Sequence, residues 1–575
     1  MAKFDVPCDS GRTSDDTQKT NQNTPERVEA VLAKEQVAVR YAAGGNATAP
    51  EVVGQARLPD SPQDLLSFDK LNLSCDPRVR LFFKHAEGNS AINIEPEAIR
   101  QEISTEPAGI LRRPVDPLVV KLLGSLQSRC EIKCVLAVKS MRCELYYSPN
   151  SDNAILVNRT SGRISVKSSS GSAKFVDPWG QTTLSPASWT LSLRGDTVDL
   201  KLLPRRYSLK IEEKTTLASA SGKRLADTGL CGPGKKTKLL AGPSSHMVDS
   251  KAISCPETVW AGVDLQENQL VKVTDRVTGH VEYSIRRLAS WAFKRTSREA
   301  FTAILDDGTS KPEVVVVKII ATPYGDNAST INAAKAWLQE FKMHRSLEHP
   351  CIAGLRGWDA RMLSLFVEYK EAKDLGSHSW RTKNGYFQGN LTDARCILTQ
   401  ISSALQYLEE RGIAHNDIKP GNILYTRTEW PANDPYPATS AGAVLIDFGL
   451  ASSADSVQGG GTPWYLPPEY TLNKRGLPGD VFSLGVVMLY VMRRIPLPET
   501  WDKYRPWPLH RAKEPTNLAA MRSWQDEVHL QAEALSSNTI FARQARLYDA
   551  VRHMLAVNPE DRVTASELVE ETKSW

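Results

Sequence analysis

The sequence predicts an α+β chain: a small strand-rich module, a linker, and a larger domain that opens in strands and closes in helices. Three observations predict it. Between about Leu126 and Glu213, short β-branched runs recur, separated by Gly, Ser, Asn, Asp or Pro. From about Thr258 onward, strand patterns come first and helical patterns later. The stretch GIAHNDIKPGNILY, Gly412 to Tyr425, crowds a His, two Asn, an Asp and a Lys into one loop between an amphipathic helix and an apolar strand. A solvated turn needs only a few such groups.

Bulk properties set the frame. At 575 residues and 63.6 kDa, the chain has length for roughly three to four domain-sized pieces. With 41% apolar and 24% charged residues it affords at least one large core, and a net charge of +5 does not argue for a nucleic acid or an acidic partner. No apolar run of about eighteen residues exists, and the start MAKFDVPCDSGRTSDDTQKT has no apolar signal core. The expectation is an intracellular protein, cytoplasmic or nuclear, without a membrane partner. The nine cysteines are scattered, and only Cys130 and Cys134 are close, with no second pair at zinc spacing. Reduced, partly buried thiols are expected.

In order along the chain, residues 1–60 are rich in Ser, Thr, Asn, Gln, Asp and Ala without periodicity, and disorder is expected there. Residues 61–125 are mixed, with DLLSFDKL and PEAIRQEIS as short helix candidates. The module at 126–213 reads as strands in CEIKCVLAVKS, RCELYYSP, AILVNRTS, RISVKSSS, WTLSLRG and DTVDLKLL. Strands at this spacing imply a sandwich or small barrel. With LVNRTSGRISV, the segment resembles a forkhead-associated domain, a β-sandwich that reads phosphothreonine, although that family's Ser-x-x-His element is missing. The resemblance implies a phosphoprotein partner; the bland alternative is a β-module with another ligand or none. Residues 214–257 form a Gly-, Ser- and Pro-rich linker. It carries two basic clusters, Lys223-Arg224 and Lys235-Lys236-Thr237-Lys238. These would suit a nuclear import receptor, or be merely a solvated charged linker.

Residues 258–575 carry the chemistry. EVVVVKII is a buried-strand pattern, INAAKAWLQEFKMHRSL a helix and LSLFVEY a strand. DARCILTQISSALQYLEE is amphipathic, with Ile397, Ile401, Leu405 and Leu408 at helical spacing. AVLIDFG returns to strand, and DVFSLGVVMLYVM is apolar almost all round, as a buried helix is. Taken together and in this order, the motifs resemble a eukaryotic protein kinase domain of the serine/threonine type. The resemblance implies a bilobal fold, a small mainly β lobe and a large mainly α lobe, with ATP and Mg²⁺ as cofactors and a protein Ser/Thr hydroxyl as acceptor.

It also implies roles. Transfer of a phosphoryl group is mostly positioning and charge stabilisation, with hard cations held by oxygen ligands. Asp417 matches the residue that accepts the substrate proton, and Lys419 the cation beside the transferred group. Asn422 and Asp447 match the metal ligands. Lys318 matches the strand lysine on the nucleotide phosphates; a buried strand lysine needs a partner, and Glu340 matches it. In LFVEYKEAKDL, Val367 would back the adenine pocket, the backbones of Glu368 and Lys370 would pair with adenine, and Asp374 would reach the ribose. Thr462 would brace Asp417 and Lys419, Glu469 and Arg562 would pair, and Asp480 would hold the catalytic loop's backbone.

Two features depart from that family. The usual His-Arg-Asp is here His415-Asn416-Asp417, so the arginine that reads an activation-segment phosphate is missing. A kinase that does not rely on that phosphosite is expected. The glycine-rich turn between the first two strands is missing too: no Gly occurs between His280 and Asp307, and Ala289 to Thr296 would have to supply the loop, with Lys294 or Arg295 in place of backbone contacts. A pseudokinase scaffold is therefore the alternative function, and a phosphopeptide adaptor a second. TRTEWPANDPYPATSAG, before the metal-binding strand, is expected to be a surface insertion.

Overall fold

In this computed structural model the described residues are 78–86, 92–95, 99–105, 118–212 except 170, 265–320 except 296–297, and 322–573 apart from 323–324, 428–441, 455, 457–459, 473–475 and 537–541. The expectations for 1–60, for DLLSFDKL, for the basic linker clusters and for most of the insertion lie outside them. Among the described residues no helix is long and apolar enough to cross a membrane.

The N-terminal strands are β1 (Val79–Ala86), β2 (Ile92–Glu95), β3 (Ile99–Thr105), β4 (Leu118–Leu126), β5 (Lys133–Val138) and β6 (Met141–Tyr147). They continue as β7 (Ala154–Asn158), β8 (Ile164–Ser168), β9 (Lys174–Val176), β10 (Gln181–Leu184), β11 (Ala187–Leu193) and β12 (Asp196–Leu202). One sheet runs β3-β4-β1-β12-β11-β8-β9 and the other β10-β7-β6-β5-β2. Their inner faces share one core, with Leu81, Phe83, Leu191 and Leu200 from the first and Leu136, Cys143, Leu145 and Leu156 from the second. The alternating burial of β5 is what a strand with one core face gives.

This is a sandwich, as strand spacing predicts, but its limits differ from 126–213. Among the described residues it begins at Val79, and Ile99–Thr105, overlapping the helix candidate PEAIRQEIS, is a strand paired along its length with β4. A short mixed segment has no strong period of its own, so the neighbouring strand decides. The turn that carries the forkhead-associated resemblance is spent on itself. Asn158 Nδ2 donates to Gly162 O at 2.7 Å and Val176 O at 3.1 Å, and its Oδ1 accepts from Thr160 N at 2.9 Å. Arg159 gives both Nε and Nη2 to Glu144, at 2.8 and 2.6 Å, and Arg163 Nε binds Asp177 at 2.6 Å. Both cations that would meet a phosphate there already face carboxylates. Cys130 is exposed and Cys134 buried, and both are free thiols.

A third sheet builds the small lobe. It contains β13 (Tyr207–Glu212), β14 (Leu270–Asp275), β15 (Val281–Arg295), β16 (Arg298–Asp306), β17 (Glu313–Ile320), then after helix α1 (Asn327–His344), β18 (Leu355–Asp359) and β19 (Ser364–Glu368). Their order is β13-β14-β15-β16-β17-β19-β18. Residues 207–212, expected in the sandwich, thus pair antiparallel with β14 and extend this lobe instead. Val315, Val317 and Ile319 of EVVVVKII pack into its core with Phe301, Tyr283 and Phe366, while Lys318 stands on the opposite face. Asp326 caps α1, its carboxylate accepting from Ala328 N and Ser329 N.

The large lobe is helical: α2 (Leu391–Glu409), α3 (Leu477–Val491), α4 (Pro515–Glu533), α5 (Ala542–Met554) and α6 (Ala565–Lys573). A reciprocal capping box, Asn390 with Asp393, opens α2. The buried residues of α2 include Ile397, Ile401, Leu405 and Leu408, and α3 is buried from Gly479 to Val491, both as their patterns predict. Together they form the largest core. Between α2 and α3 run the short strands β21 (Ile413–Ala414), β22 (Ile423–Tyr425), β23 (Ala443–Leu445) and β24 (Ser452–Ser453); β20 (Lys373–Asp374) pairs with β22.

Candidate active site

The loop between β21 and β22 is fixed from below before it does any chemistry. Asp480, in the first turn of buried α3, accepts the backbone N–H groups of His415 at 2.6 Å and Asn416 at 2.8 Å. The two N–H groups are buried and would otherwise go unmet, so one carboxylate sets the loop's height above α3. His415 Nε2 lies 3.1 Å from Ile446 O, and Ile446 N donates to Asn422 O at 3.0 Å. These bonds join the loop to the Ala443–Leu445 strand that ends just before Asp447.

On this base the polar side chains converge. Lys419 Nζ reaches Asp417 Oδ2 at 2.6 Å and Thr462 Oγ1 at 2.9 Å, and Thr462 Oγ1 donates to Asp417 Oδ1 at 2.7 Å. Asn422 Nδ2 donates to Asp417 O at 2.8 Å and Asp417 Oδ2 at 3.0 Å. The Asp417 carboxylate is thus held on both oxygens. Because the Asn422 amide spends its N–H₂ on Asp417, its oxygen is the amide atom that Asp417 does not engage, and amide oxygen is a hard-cation ligand.

The second cluster lies across the cleft. Lys318 Nζ sits 2.6 Å from Glu340 of α1 and 2.6 Å from Asp447. Glu340 is 2% exposed and Lys318 14%, whereas Asp447 is 36% exposed. The pair Lys318–Glu340 is therefore the buried anchor and Asp447 the half that faces the cleft. Asp447 adopts φ of +68° and Asn416 +64°, left-handed conformations that Asp and Asn tolerate better than other side chains. Asp417 and Asp447 are joined through Asn422 and its neighbour Ile446, on one side of the molecule.

The remaining predicted residues are placed as follows. Val367 lies in β19 opposite Val316 and is half-buried. Glu368 gives its N–H to Gly354 O at 2.8 Å, so only its carbonyl is left to serve an adenine. Its carboxylate bonds Arg356 and Lys370, each at 2.8 Å. Asp374 is half-buried in β20, opposite Leu424 of β22, and burial pushes its carboxyl above the ordinary value. Arg562, its side chain fully buried, binds Glu469 through Nη1 and Nη2 at 2.7 and 3.1 Å. β15 and β16 pair out to Arg295 opposite Arg298, and residues 288–291 bulge against Thr302 between the pairs Arg287–Ala303 and Ala292–Phe301.

Three contributions escaped the sequence reading. His344 packs tilted against Phe448 with ring centroids 4.7 Å apart, and Phe448 meets His415 edge-on at 5.0 Å, so one column of ring contacts links α1 to the loop. Burial pushes His344 down to about 4, so its ring is neutral in this column near pH 7. Its place one helical turn after Glu340 is the signal that would have flagged it. Gln339 Nε2 donates to Ala451 O at 2.8 Å, tying α1 to the segment after Asp447. The amide of Asn416 donates to Leu450 O at 3.1 Å and to Ser452 Oγ at 2.9 Å, tying the loop to the segment after Asp447.

Among the described residues no cluster of three or more His, Cys, Asp or Glu could cage a metal. The donor set is one carboxylate and one amide oxygen beside an open cleft. It fits a cation of the magnesium kind, which keeps water and takes its other ligands from substrate phosphates.

A family model described as the protein kinase domain matches residues 306–572. The chain is 33% identical over 183 residues to serine/threonine-protein kinase tousled-like 2 of Xenopus tropicalis, covering 27% of this chain and 24% of that protein. It is 30% identical over 260 residues to tousled-like 1-B of Danio rerio, covering 41% and 30%. With the human serine/threonine-protein kinase ULK3 it shares 30% over 185 residues, covering 31% and 35%. The chain thus spans about a quarter to a third of the length of the curated relatives it matches.

Proposed function

From the premise that residues 306–572 form a protein kinase domain whose relatives are serine/threonine kinases, we propose that the chain transfers the γ-phosphoryl group of ATP to a protein serine or threonine hydroxyl. One observation carries the reading: Asp417, Lys419, Asn422 and Thr462 form a closed hydrogen-bonded set, joined through residues 446–447 to Lys318 and Glu340.

Each group has a task that its contacts support. Asp417, oriented on both oxygens, accepts the proton of the attacking hydroxyl. Lys419 balances charge on the group in flight, and Thr462 keeps Lys419 and Asp417 together. Lys318, positioned by Glu340, holds the nucleotide phosphates. Asp447 and the Asn422 oxygen would hold magnesium, whose charge offsets that of the phosphates when it is bound. The hinge offers adenine the Glu368 carbonyl and the Lys370 backbone against Val367, with Asp374 near the ribose.

The lack of glycine from His280 to Asp307 favours a second reading, a scaffold that keeps the fold without transfer, because larger residues are less suited to bring backbone N–H groups over the phosphates. Incubation of the full chain with Mg²⁺, labelled ATP and a serine/threonine peptide mixture separates the two. The transfer reading expects label on serine or threonine that disappears in Asp447→Ala. Label that persists in Asp447→Ala contradicts it, and ATP binding without any label identifies the scaffold.

A further inference from the structure

Strand β7 is buried along its whole length, Ala154–Asn158, although it belongs to a two-layer sandwich. Side chains on a strand alternate between faces. Ala154 and Leu156 enter the sandwich core. Ile155 and Val157 therefore face outward, beside Tyr146 of β6, and they share one apolar cluster with Ile331, Trp337 and Phe341 of α1 and with Ile320, Leu363 and Leu365 of the small lobe. Trp337 is fully buried and stacks on Phe341 at 4.9 Å.

Polar bonds pin the contact around its rim. Asn327 Nδ2, at the first position of α1, donates to Thr183 Oγ1 of β10 at 2.9 Å. Asn150 Nδ2 donates to Thr322 Oγ1 at 2.9 Å. On the far side Arg129 Nε donates to Trp358 O at 3.1 Å, its carbonyl accepts from Ala360 N at 2.8 Å, and its guanidinium lies 4.7 Å from the Tyr283 ring centroid.

Glu340 sits on α1 between Trp337 and Phe341, and a helix is stiff over a single turn. Wherever the sandwich seats those two rings, the Glu340 carboxylate follows, and with it Lys318. We infer that the N-terminal sandwich is a built-in brace for α1, with Tyr146, Ile155 and Val157 as positioning residues for the Lys318–Glu340 pair. The nucleotide-binding lysine is then set by the other half of the same chain, without an activation-segment phosphate. The consequence for catalysis rests on the phosphotransfer reading; the bracing itself does not.

Hydrogen exchange and kinetics on the full chain test both halves. In Ile155→Ser, exchange across Asn327–His344 should rise about tenfold or more while β8, β11 and β12 keep wild-type protection. The KM for ATP should rise and kcat fall, and Ile155→Leu should restore all three. Arg129→Ala, outside the sandwich core, should produce a smaller shift of about threefold in the same direction, and it decides the matter where Ile155→Ser disturbs the sandwich itself. Wild-type protection of α1 in both variants overturns the brace, as does lost protection with unchanged ATP kinetics in an active enzyme. A wild-type protein that transfers no phosphoryl group sinks the phosphotransfer reading alone, since exchange still reads the brace.

Discussion

At the scale of single residues, Asn416 is the instructive one. It occupies a left-handed backbone position, φ +64°, and is 9% exposed. Its neutral amide binds two backbone carbonyls and a hydroxyl, Ala414 O, Leu450 O and Ser452 Oγ. An arginine there would need a phosphate to balance its charge; the amide is satisfied by groups already present. Full-length protein treated with phosphatase should therefore keep its kcat within about twofold. A fall of about tenfold or more would mean that a phosphate orders the segment after all. The acidic, amide and lysine groups of this site were legible as candidates because each proposed task admits few side-chain types: an Asp such as Asp417 to take a proton, Asn422 and Asp447 to hold a hard cation, Lys318 to meet phosphates. The direction of the Asn422 amide was not, because it is set by Asp417 O and Oδ2, atoms whose positions exist only in the fold.

At the scale of elements, periodicity told most where an element is long and packs on one face or on all. α2 and α3 fall where their patterns predict, and so do Lys133–Val138 and Glu313–Ile320. It told least for short segments whose partner lies far away in sequence. Ile99–Thr105 reads as helix on its own and becomes strand because Leu118–Leu126 pairs with it. Tyr207–Glu212 follows the sandwich in sequence yet extends the small lobe, through a pairing with Leu270–Asp275 that crosses the whole linker. Elements of the large lobe are also locked by single buried charges. Arg562 carries bonds to Glu469, Ala556 O and Pro478 O with its side chain fully buried. Removing the guanidinium leaves a buried carboxylate, so Arg562→Ala should cost about 3–5 kcal/mol. A drop in the urea midpoint with an unchanged slope checks it, and a midpoint within error of wild type would show that water reaches Glu469.

At the scale of the molecule, function depends on distance bridged. Bonds that join sandwich to small lobe connect residues 144, 172 and 229 positions apart, Asn327 with Thr183, Asn150 with Thr322 and Arg129 with Trp358. Nothing in local pattern marks such pairs, which is why the sandwich reads in the sequence as a separate module and in the structure as a wall behind α1. The cleft is built the same way: Lys318 from β17, Glu340 from α1, Asp417 and Asn422 from the β21–β22 loop and Asp447 after β23 meet across two lobes. Their convergence is the central claim, and Asp417→Asn tests it most directly, since the amide keeps the shape and loses the base. In single-turnover transfer from Mg·ATP by the full chain, ATP affinity should stay within about twofold while the transfer rate falls by about a hundredfold or more. Transfer at the wild-type rate in Asp417→Asn, with nucleotide bound, would contradict it.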